Sequence, residues 1–277
     1  MSKYTDDLLT VEQLDNMIEA NKPIKPILPK PPRKPLKHKH EVKPHYFDKI
    51  DTEYKAYFLG LLYTDGCNTN NRIEIALQER DGEVLTQISK DVFVTEKPLR
   101  FIKRHQPHHQ NKLALEIYDK IVAKQLDGHG VIPRKSLALQ YPSEQTLPKE
   151  LFRHFLRGVF DGDGCFINTD KTTQWNVVSA SYSFITELKK HIEVLLKDNC
   201  VKRGISISKK KPKNPKHHIL YSANTNCVST LFKLYELLYT NTNVYLKRKR
   251  RHFDTYILDN YNYKLNENGK NWIKKDS

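Results

Sequence analysis

Two stretches of the chain carry the same pattern of apolar residues, and they lie 98 positions apart. In each stretch the apolar side chains recur at positions i, i+3, i+4, i+7 and i+8, the spacing of a helix that buries one face. The first set is Tyr54, Tyr57, Phe58, Leu61 and Leu62, and the second is Phe152, Phe155, Leu156, Val159 and Phe160. The chain therefore contains one structural unit twice, and each copy begins with an amphipathic helix.

The segments after each helix follow the same order in both copies. In the first copy, alternation of apolar and polar residues predicts strands over 72–78, 99–104 and 112–118, with a helix over 81–93. In the second copy we expect strands over 174–181, 205–208 and 218–221, with helices over 183–197 and 226–239. Each copy is thus close to αββαββα, which predicts an α+β fold with one four-stranded antiparallel sheet per copy. Side chains alternate across a strand, so one face of each sheet can pack on helices while the other stays polar.

Each repeated helix ends in an Asp-Gly pair, Asp65-Gly66 and Asp163-Gly164. Glycine at this place is typical of a left-handed C-terminal cap, which predicts that both aspartates lie in the last helical turn. The helix dipole disfavours a carboxylate there, so the same local conflict in both copies indicates a function and a compensating cation. Asp161 is not repeated, because its counterpart in the first copy is Tyr63.

Small residues on the repeated helices predict how the two copies meet. Gly60 and Thr64 in the first helix, and Gly158 and Gly162 in the second, have the i, i+4 spacing of one helix face. Two such helices can approach backbone to backbone. If they pack around a pseudo-two-fold axis, their terminal aspartates come together at one end of the pair.

Two nine-residue segments end the repeated helices. They are Phe-Leu-Gly-Leu-Leu-Tyr-Thr-Asp-Gly at 58–66 and Leu-Arg-Gly-Val-Phe-Asp-Gly-Asp-Gly at 156–164. They resemble the two motifs of a LAGLIDADG homing endonuclease of the single-chain kind, over roughly residues 50 to 260. The chain departs from that motif at Phe58, Tyr63 and Thr64 in the first copy and at Arg157 in the second, but it keeps the final acid and glycine in both.

The resemblance implies a function and an assembly. Such a protein is a monomer with internal pseudo-two-fold symmetry that makes a double-strand break in a long asymmetric DNA target and leaves short 3′ overhangs. Two alternatives share the fold: an intron RNA maturase, and a DNA-binding transcription regulator.

The resemblance also implies one catalytic lysine in each half, near the scissile phosphate. Lys135, in the segment 130–136, and Lys249, in the segment 245–251, are the candidates, with Lys247 as the alternative to Lys249. The run of five cations at 247–251 could equally be an ordinary basic surface.

The paired acids predict a metal requirement. Two neighbouring carboxylates repel each other, so both stay ionised only with a cation between them. Hard oxygen ligands suit Mg²⁺, which keeps water and substrate phosphate in its shell, and Mn²⁺ is the expected substitute. We therefore expect Asp65 and Asp163 to be both metal ligands and catalytic residues. His105, His108 and His109 lack ligand partners at suitable spacing and are expected to form an exposed loop.

The net charge of +15 and the pI of about 9.5 predict a polyanionic partner, and with the resemblance this partner is double-stranded DNA. No apolar run is long enough for a membrane span, and no signal-peptide core is present. Cys67, Cys165, Cys200 and Cys227 form no C-x-x-C pair, which favours reduced, partly buried thiols in a reducing cytoplasmic or organellar compartment with access to DNA.

Polar and basic residues along the predicted strands are candidates for DNA contacts. Arg and Gln can recognise base edges, whereas Lys more often neutralises phosphate. The candidates on the first sheet are Arg72, Gln78, Arg80, Arg100, Lys103, Arg104 and Lys112, and those on the second are Gln174, Asn176, Lys209, Lys210, Lys211, Lys213 and Lys216.

These patterns divide the chain into three parts. Residues 1–45 form a flexible extension, because 22–43 holds six prolines and eight Lys or Arg against one Glu. This segment is either a linker or an arm that lies along DNA phosphate. The first half spans 46–147, and the second half spans 148–277 and includes a C-terminal helix with Phe253, Tyr256 and Ile257 on one face.

Overall fold

The computed structural model describes residues 40–106, 109–197, 204–212, 214, 217–260, 263–265 and 272–274. The expected N-terminal extension lies almost entirely outside these residues. From its end, Val42 forms a β-bridge with Phe93, and the Lys43 amide donates to the Val92 carbonyl at 2.9 Å.

The first half follows the predicted order of elements. It consists of α1 (Glu53–Thr64), β1 (Gly66–Asn68), β2 (Ile73–Gln78), α2 (Gly82–Val92), β3 (Arg100–Ile102), β4 (Lys112–Ile117) and α3 (Lys120–Gly128). The four strands form an antiparallel sheet in the order β1-β2-β4-β3.

The second half repeats this arrangement and adds to it. It consists of α4 (Phe152–Asp163), β5 (Gly164–Thr169), β6 (Thr172–Ser179), α5 (Tyr182–Lys197), β7 (Ser206–Lys210), β8 (Leu220–Thr225), α6 (Val228–Tyr239) and α7 (Lys247–Asn260). Its antiparallel sheet has the order β5-β6-β8-β7, the same topology as the first. A small antiparallel pair, β9 (Tyr263–Leu265) and β10 (Trp272–Lys274), follows.

The structure confirms the α+β class, the two four-stranded antiparallel sheets and the αββαββα order. Burial alternates along the strands as predicted: Ile73, Ile75 and Leu77 of β2 are buried, and so are Trp175 and Val177 of β6. The expected face of the last long helix is also buried, through Phe253, Tyr256 and Ile257. The strands β1 and β5 and the helix α3 were not predicted individually.

The paired helices α1 and α4 meet backbone to backbone, as the small residues predict. A Cβ atom at Gly60 would overlap the Phe155 carbonyl oxygen, and one at Gly158 would overlap the Tyr57 carbonyl oxygen. Any side chain at either position would therefore force the helices apart. This contact joins the two halves and brings the ends of α1 and α4 together.

The prediction of left-handed caps at the ends of these helices is wrong. Gly164 is extended, with φ of −85° and ψ of 160°, and Gly130 is the one glycine with positive φ among the described residues. Each helix passes directly into a strand instead. Glycine is needed because a Cβ at Gly66 would lie 2.6 Å from the Leu62 carbonyl oxygen, and one at Gly164 would lie 2.5 Å from the Phe160 carbonyl oxygen.

The motif departure at Arg157 has a structural explanation. Its guanidinium is fully buried and donates to the carbonyls of Val244 at 2.8 Å and Leu238 at 3.0 Å, and it forms a 2.7 Å ion pair with Glu53 at the start of α1. Burial lowers the pKa of His154 to about 4, so the neutral ring can accept a bond from Arg157. A buried charge needs partners of this kind, and these tie α4 to α1 and to the chain before α7.

Candidate active site

Asp65 and Asp163 lie at the ends of the paired helices. Asp65 is the C-terminal cap of α1, and Asp163 is the last residue of α4. Both side chains reach solvent, but the surrounding protein removes much of their hydration. This desolvation raises the pKa of Asp65, and together with the charge of Asp65 it raises the pKa of Asp163 to about 6. The two carboxylates are thus close enough to repel each other.

Lys135 and Lys249 occupy matching places beside these acids. The Lys135 ammonium donates to the carbonyls of Thr64, at 3.3 Å, and Gly66. The Lys249 ammonium donates to the carbonyls of Phe160, Gly162 and Gly164 at 2.8, 3.0 and 2.7 Å. Gly162 and Gly164 are the repeat counterparts of Thr64 and Gly66, so each lysine lies at the C-terminal end of one helix. There it opposes the negative end of the helix dipole.

The two lysines supply fixed positive charge to the pair of acids. Desolvation lowers the pKa of Lys135 and the pKa of Lys249, while the carboxylates of Asp65 and Asp163 act in the opposite direction on both. An ammonium has three N–H donors, and the three carbonyls around Lys249 can accept all of them. The Lys249 ammonium can thus engage all of its donors with backbone carbonyls at the end of α4.

A cleft of about 300 Å³ opens beside Asp163. Its walls combine Lys135 and Thr64 of the first half with Val178 and Leu220 of the second. The acid of one half thus lies near the lysine of the other, consistent with the electrostatic effect of Lys135 on Asp163.

The chemistry of this site fits a divalent cation. Asp65 and Asp163 offer carboxylate oxygens, and a cation bound between them would offset the desolvation that raises the pKa of both groups. Within the described residues, no group of three or more His, Cys, Asp and Glu converges to hold a metal by itself. Two carboxylates leave most of a coordination shell to water and phosphate, which suits Mg²⁺.

Asp161 is separate from this pair and has a partner set that the sequence did not reveal. It is buried, and one carboxylate oxygen accepts from the Tyr57 hydroxyl and the Leu246 amide, both at 2.7 Å. The other oxygen has no hydrogen-bond partner in the described part of the chain. Burial raises the pKa of Asp161 to about 6.

The open face of the first sheet carries a compact set of four charges. Arg72 lies 3.2 Å from Glu74 and 3.6 Å from Glu116, and Arg100 lies 3.0 Å from Glu116 and 3.4 Å from Glu74. Both arginines were predicted DNA contacts, but the two acids were not singled out. In the sequence alone, the alternation of 73–78 already places Glu74 on the polar face.

The other candidates of the first half lie towards one end of that sheet. Gln78 is opposite Lys112 in the strand register, and its side chain accepts from Arg80 at 2.8 Å. Arg104 lines a hollow with Gln78 and Lys112. Lys103 is exposed just beyond β3.

On the second sheet, Gln174 and Asn176 share the open face with neutral neighbours. The register places Asn176 opposite Asn224, which is opposite Ser206. Lys210 lies on this face, but Lys209 alternates to the other face, opposite Tyr221. Lys211 follows β7 and is exposed, while Lys213 and Lys216 lie outside the described residues.

The basic run at 247–251 is held by protein acids. Lys247 pairs with Glu83 at 2.7 Å on the surface, and Arg248 pairs with the buried Asp81 at 2.9 Å. Both acids belong to the first half, so the run joins the halves. By position, Lys249 and not Lys247 is the counterpart of Lys135.

Three further expectations concern exposure. Cys67 and Cys165 are exposed and Cys227 is half-buried, so the expected partial burial is wrong for the first two, while Cys200 lies outside the described residues. His105 and His109 are exposed as expected, and His108 lies outside the described residues. None of the helices that the structure describes is long and apolar enough to span a membrane.

No protein-family model matches the chain, and no curated protein matches it. Among solved structures, the chain is similar to the N-terminal LAGLIDADG domain of WhiA, with 13% identity, a TM-score of 0.46, and coverage of 72% of this chain and 90% of that one. It is similar to mesophilic variants of the homing endonuclease I-DmoI, with 11% identity, a TM-score of 0.46, and coverage of 72% and 99%. It is also similar to the homing endonuclease I-WcaI bound to its DNA recognition sequence, with 16% identity, a TM-score of 0.42, and coverage of 73% and 87%.

Proposed function

We propose that this protein is a site-specific DNA endonuclease that makes a divalent-metal-dependent double-strand break in a long asymmetric target. The observation that carries the proposal is the pair Asp65 and Asp163 at the ends of two helices in close contact. Each end also holds a buried or half-buried lysine against its last carbonyls. A helix pair needs neither two adjacent acids nor two lysines for its stability.

In this proposal the chain supplies four catalytic groups. Asp65 and Asp163 hold Mg²⁺, or Mn²⁺ in its place, through their carboxylate oxygens. A metal held there would lower the pKa of an attacking water and stabilise charge on the leaving 3′ oxygen. Lys135 and Lys249 place positive charge where the scissile phosphates gain negative charge.

The two halves explain a cut in both strands by one chain. Each half contributes one acid and one lysine, so a monomer holds two adjacent sites, one for each strand, and the cut leaves short 3′ overhangs. The open sheet faces differ in chemistry, so the two half-sites of the target differ as well. A dimer on DNA, measured by sedimentation, or a palindromic preferred target would contradict this part of the proposal.

A plasmid cleavage assay tests the function. The substrates are a supercoiled plasmid with the native locus of the gene, the same plasmid without the reading frame, and a library of randomised targets. We expect Mg²⁺-dependent linearisation by the wild type and none by the double variant Asp65→Asn, Asp163→Asn. DNA binding without cleavage in Mg²⁺ or Mn²⁺ would favour a transcription regulator, and preferential binding of intron RNA would favour a maturase.

A further inference from the structure

In the first half, Tyr63 holds the chain that leads to Lys135. Its ring is buried, and its hydroxyl donates to the His129 carbonyl at 2.8 Å. The next residue, Gly130, has φ of 91°, and a Cβ there would overlap the Tyr63 hydroxyl. The backbone at Gly130 is thus shaped around this hydroxyl, five residues before Lys135.

In the second half, Asp161 holds the chain that leads to Lys249. Its carboxylate accepts from the Leu246 amide at 2.7 Å. The Leu246 carbonyl in turn accepts from the Lys249 amide at 3.0 Å, in the first turn of α7. Asp161 therefore fixes the residue at which the lysine-bearing helix begins.

Tyr63 and Asp161 occupy the same position of the repeat, one in α1 and the other in α4. We propose that this position is a positioning site in both halves, where Tyr63 and Asp161 fasten the lysine-bearing segment to its helix and thereby place Lys135 and Lys249. The two residues use opposite chemistry, since the phenol donates to a carbonyl and the carboxylate accepts from an amide. Neither residue touches the reacting atoms.

Loss of either contact leaves a polar backbone group without its partner. The free segment can then move, and a displacement of about 1 Å in a catalytic group can cost about 10²-fold in rate. Because each lysine contacts only one helix end, such a loss should affect one site and spare the other. This strand-selective consequence rests on the proposed function, whereas the anchoring itself does not.

The first test measures the anchoring without DNA. Amine-reactive labelling by reductive methylation, quantified by mass spectrometry, reports how accessible each lysine is. We expect Tyr63→Phe to raise the labelling rate of Lys135 several-fold and leave Lys249 unchanged. We expect Asp161→Leu to raise the labelling rate of Lys249 several-fold and leave Lys135 unchanged. Asp161→Asn should have less effect on Lys249, because its amide oxygen can still accept from the Leu246 amide.

Tyr239→Phe is the matched control for Tyr63→Phe. Its hydroxyl is buried and has no hydrogen-bond partner in the described residues, so its loss should change neither lysine. If Tyr63→Phe behaves like Tyr239→Phe, with Lys135 labelled at the wild-type rate, the anchoring by Tyr63 is overturned. Tyr63→Phe removes only one oxygen atom. Its result can therefore be interpreted even if the Asp161→Leu variant does not fold.

The second test measures the two strands separately on an end-labelled target. We expect Tyr63→Phe to slow the same strand as Lys135→Met, and Asp161→Leu the same strand as Lys249→Met, through kcat with little change in KM. Equal slowing of both strands would show general destabilisation and overturn the positioning role. A wild type that cuts no DNA would overturn the proposed function, and the labelling experiment would still decide the anchoring.

Discussion

The two sheets have the same topology and register but different chemistry on their open faces. In the first, β1, β2 and β4 place Cys67, Glu74 and Glu116 in one row, and Arg72 and Arg100 contact both acids. In the second, the same row holds Cys165, Asn176 and Asn224, followed by Ser206 on β7. Charged groups in one half thus occupy the places of neutral amides in the other.

The ends of α1 and α4, in contrast, have the same chemistry in both halves. Both carry an aspartate, a following glycine and a lysine held by backbone carbonyls. The halves are therefore alike where the proposed chemistry occurs and unlike where the proposed recognition occurs. A protein that performs one reaction on two different half-sites needs this combination.

The strongest test of the similarity between the two helix ends is to remove the aspartate of either half in turn. Asp65→Asn or Asp163→Asn alters volume very little but removes a metal-binding charge worth several kcal/mol in the transition state, so cleavage should fall by about 10³-fold or more. The measurement is cleavage of a supercoiled plasmid in Mg²⁺, with DNA binding as the check on folding.

Asp161→Asn is the control for that pair, because it keeps an oxygen for the Leu246 amide and lies outside the metal site. We expect a much smaller loss. If Asp161→Asn is as inactive as Asp163→Asn, or Asp65→Asn cuts both strands at the normal rate, the assignment of the acids is wrong.

The difference between the sheets is tested by matched truncations. Arg100→Ala should relax base preference in one half-site at a cost of about 1–3 kcal/mol, and it should lower the salt dependence of binding because a cation is lost. Asn224→Ala should relax preference in the other half-site and leave the salt dependence unchanged. Binding isotherms at several salt concentrations, with both half-sites varied, distinguish these outcomes. An equal salt dependence of DNA binding in the two variants would contradict the proposed difference between the two sheets.

A smaller effect concerns the charge of the acids without DNA. The folded pKa of Asp163, about 6, exceeds its ordinary 3.8, so the folded protein binds a proton more tightly than the unfolded chain. Its contribution to stability is thus favourable below about pH 4, declines as pH rises to about 6, and stays low above that. Relative to the wild type, Asp163→Asn should gain stability as pH rises through this window.

Mg²⁺ should reverse the loss of stability that the wild type shows as pH rises. At pH 8 it should raise the wild-type melting temperature by a few degrees, because it binds the folded state, and it should do so less for Asp163→Asn. Thermal unfolding followed by circular dichroism measures both effects. An identical Mg²⁺ response in the two proteins would contradict a metal site at Asp163.

The smallest effect is expected at Lys247, next to the lysine that we assign to the site. Its ion pair with Glu83 is exposed, and exposed pairs contribute little. Lys247→Met should leave the melting temperature and cleavage unchanged, whereas Lys249→Met should slow cleavage of one strand. Slow cleavage by Lys247→Met would indicate that Lys247, and not Lys249, is the lysine of the site.

The sequence was sufficient for the repeat, because apolar periodicity and the paired Gly60 and Gly158 report local geometry directly. It was misleading at Gly66 and Gly164, where glycine indicates a left-handed cap but the crowded backbone of the preceding turn is the actual reason. Local patterns do not distinguish a glycine that needs positive φ from one that lacks room for a Cβ.

Partners that are distant in the sequence were the other gap. The contacts of Arg157 with Glu53, and of Arg248 with Asp81, join residues of different halves. A buried arginine in a motif helix and a basic run in the first turns of another helix both conflict with local rules. The motif departure at Arg157 and the cations at 247–251 are visible in the sequence, but only the packing of the two halves shows which acids pair with them.

The contact between Gly60 and Gly158 has a consequence for the break itself. Because the backbones touch, the separation of Asp65 and Asp163 is set by the diameter of a bare helix and not by any side chain that reads DNA. In the proposed endonuclease, the number of nucleotides between the two cuts is therefore independent of the target sequence. New residues on the sheets could redirect the enzyme to other sites while every break kept ends of the same length.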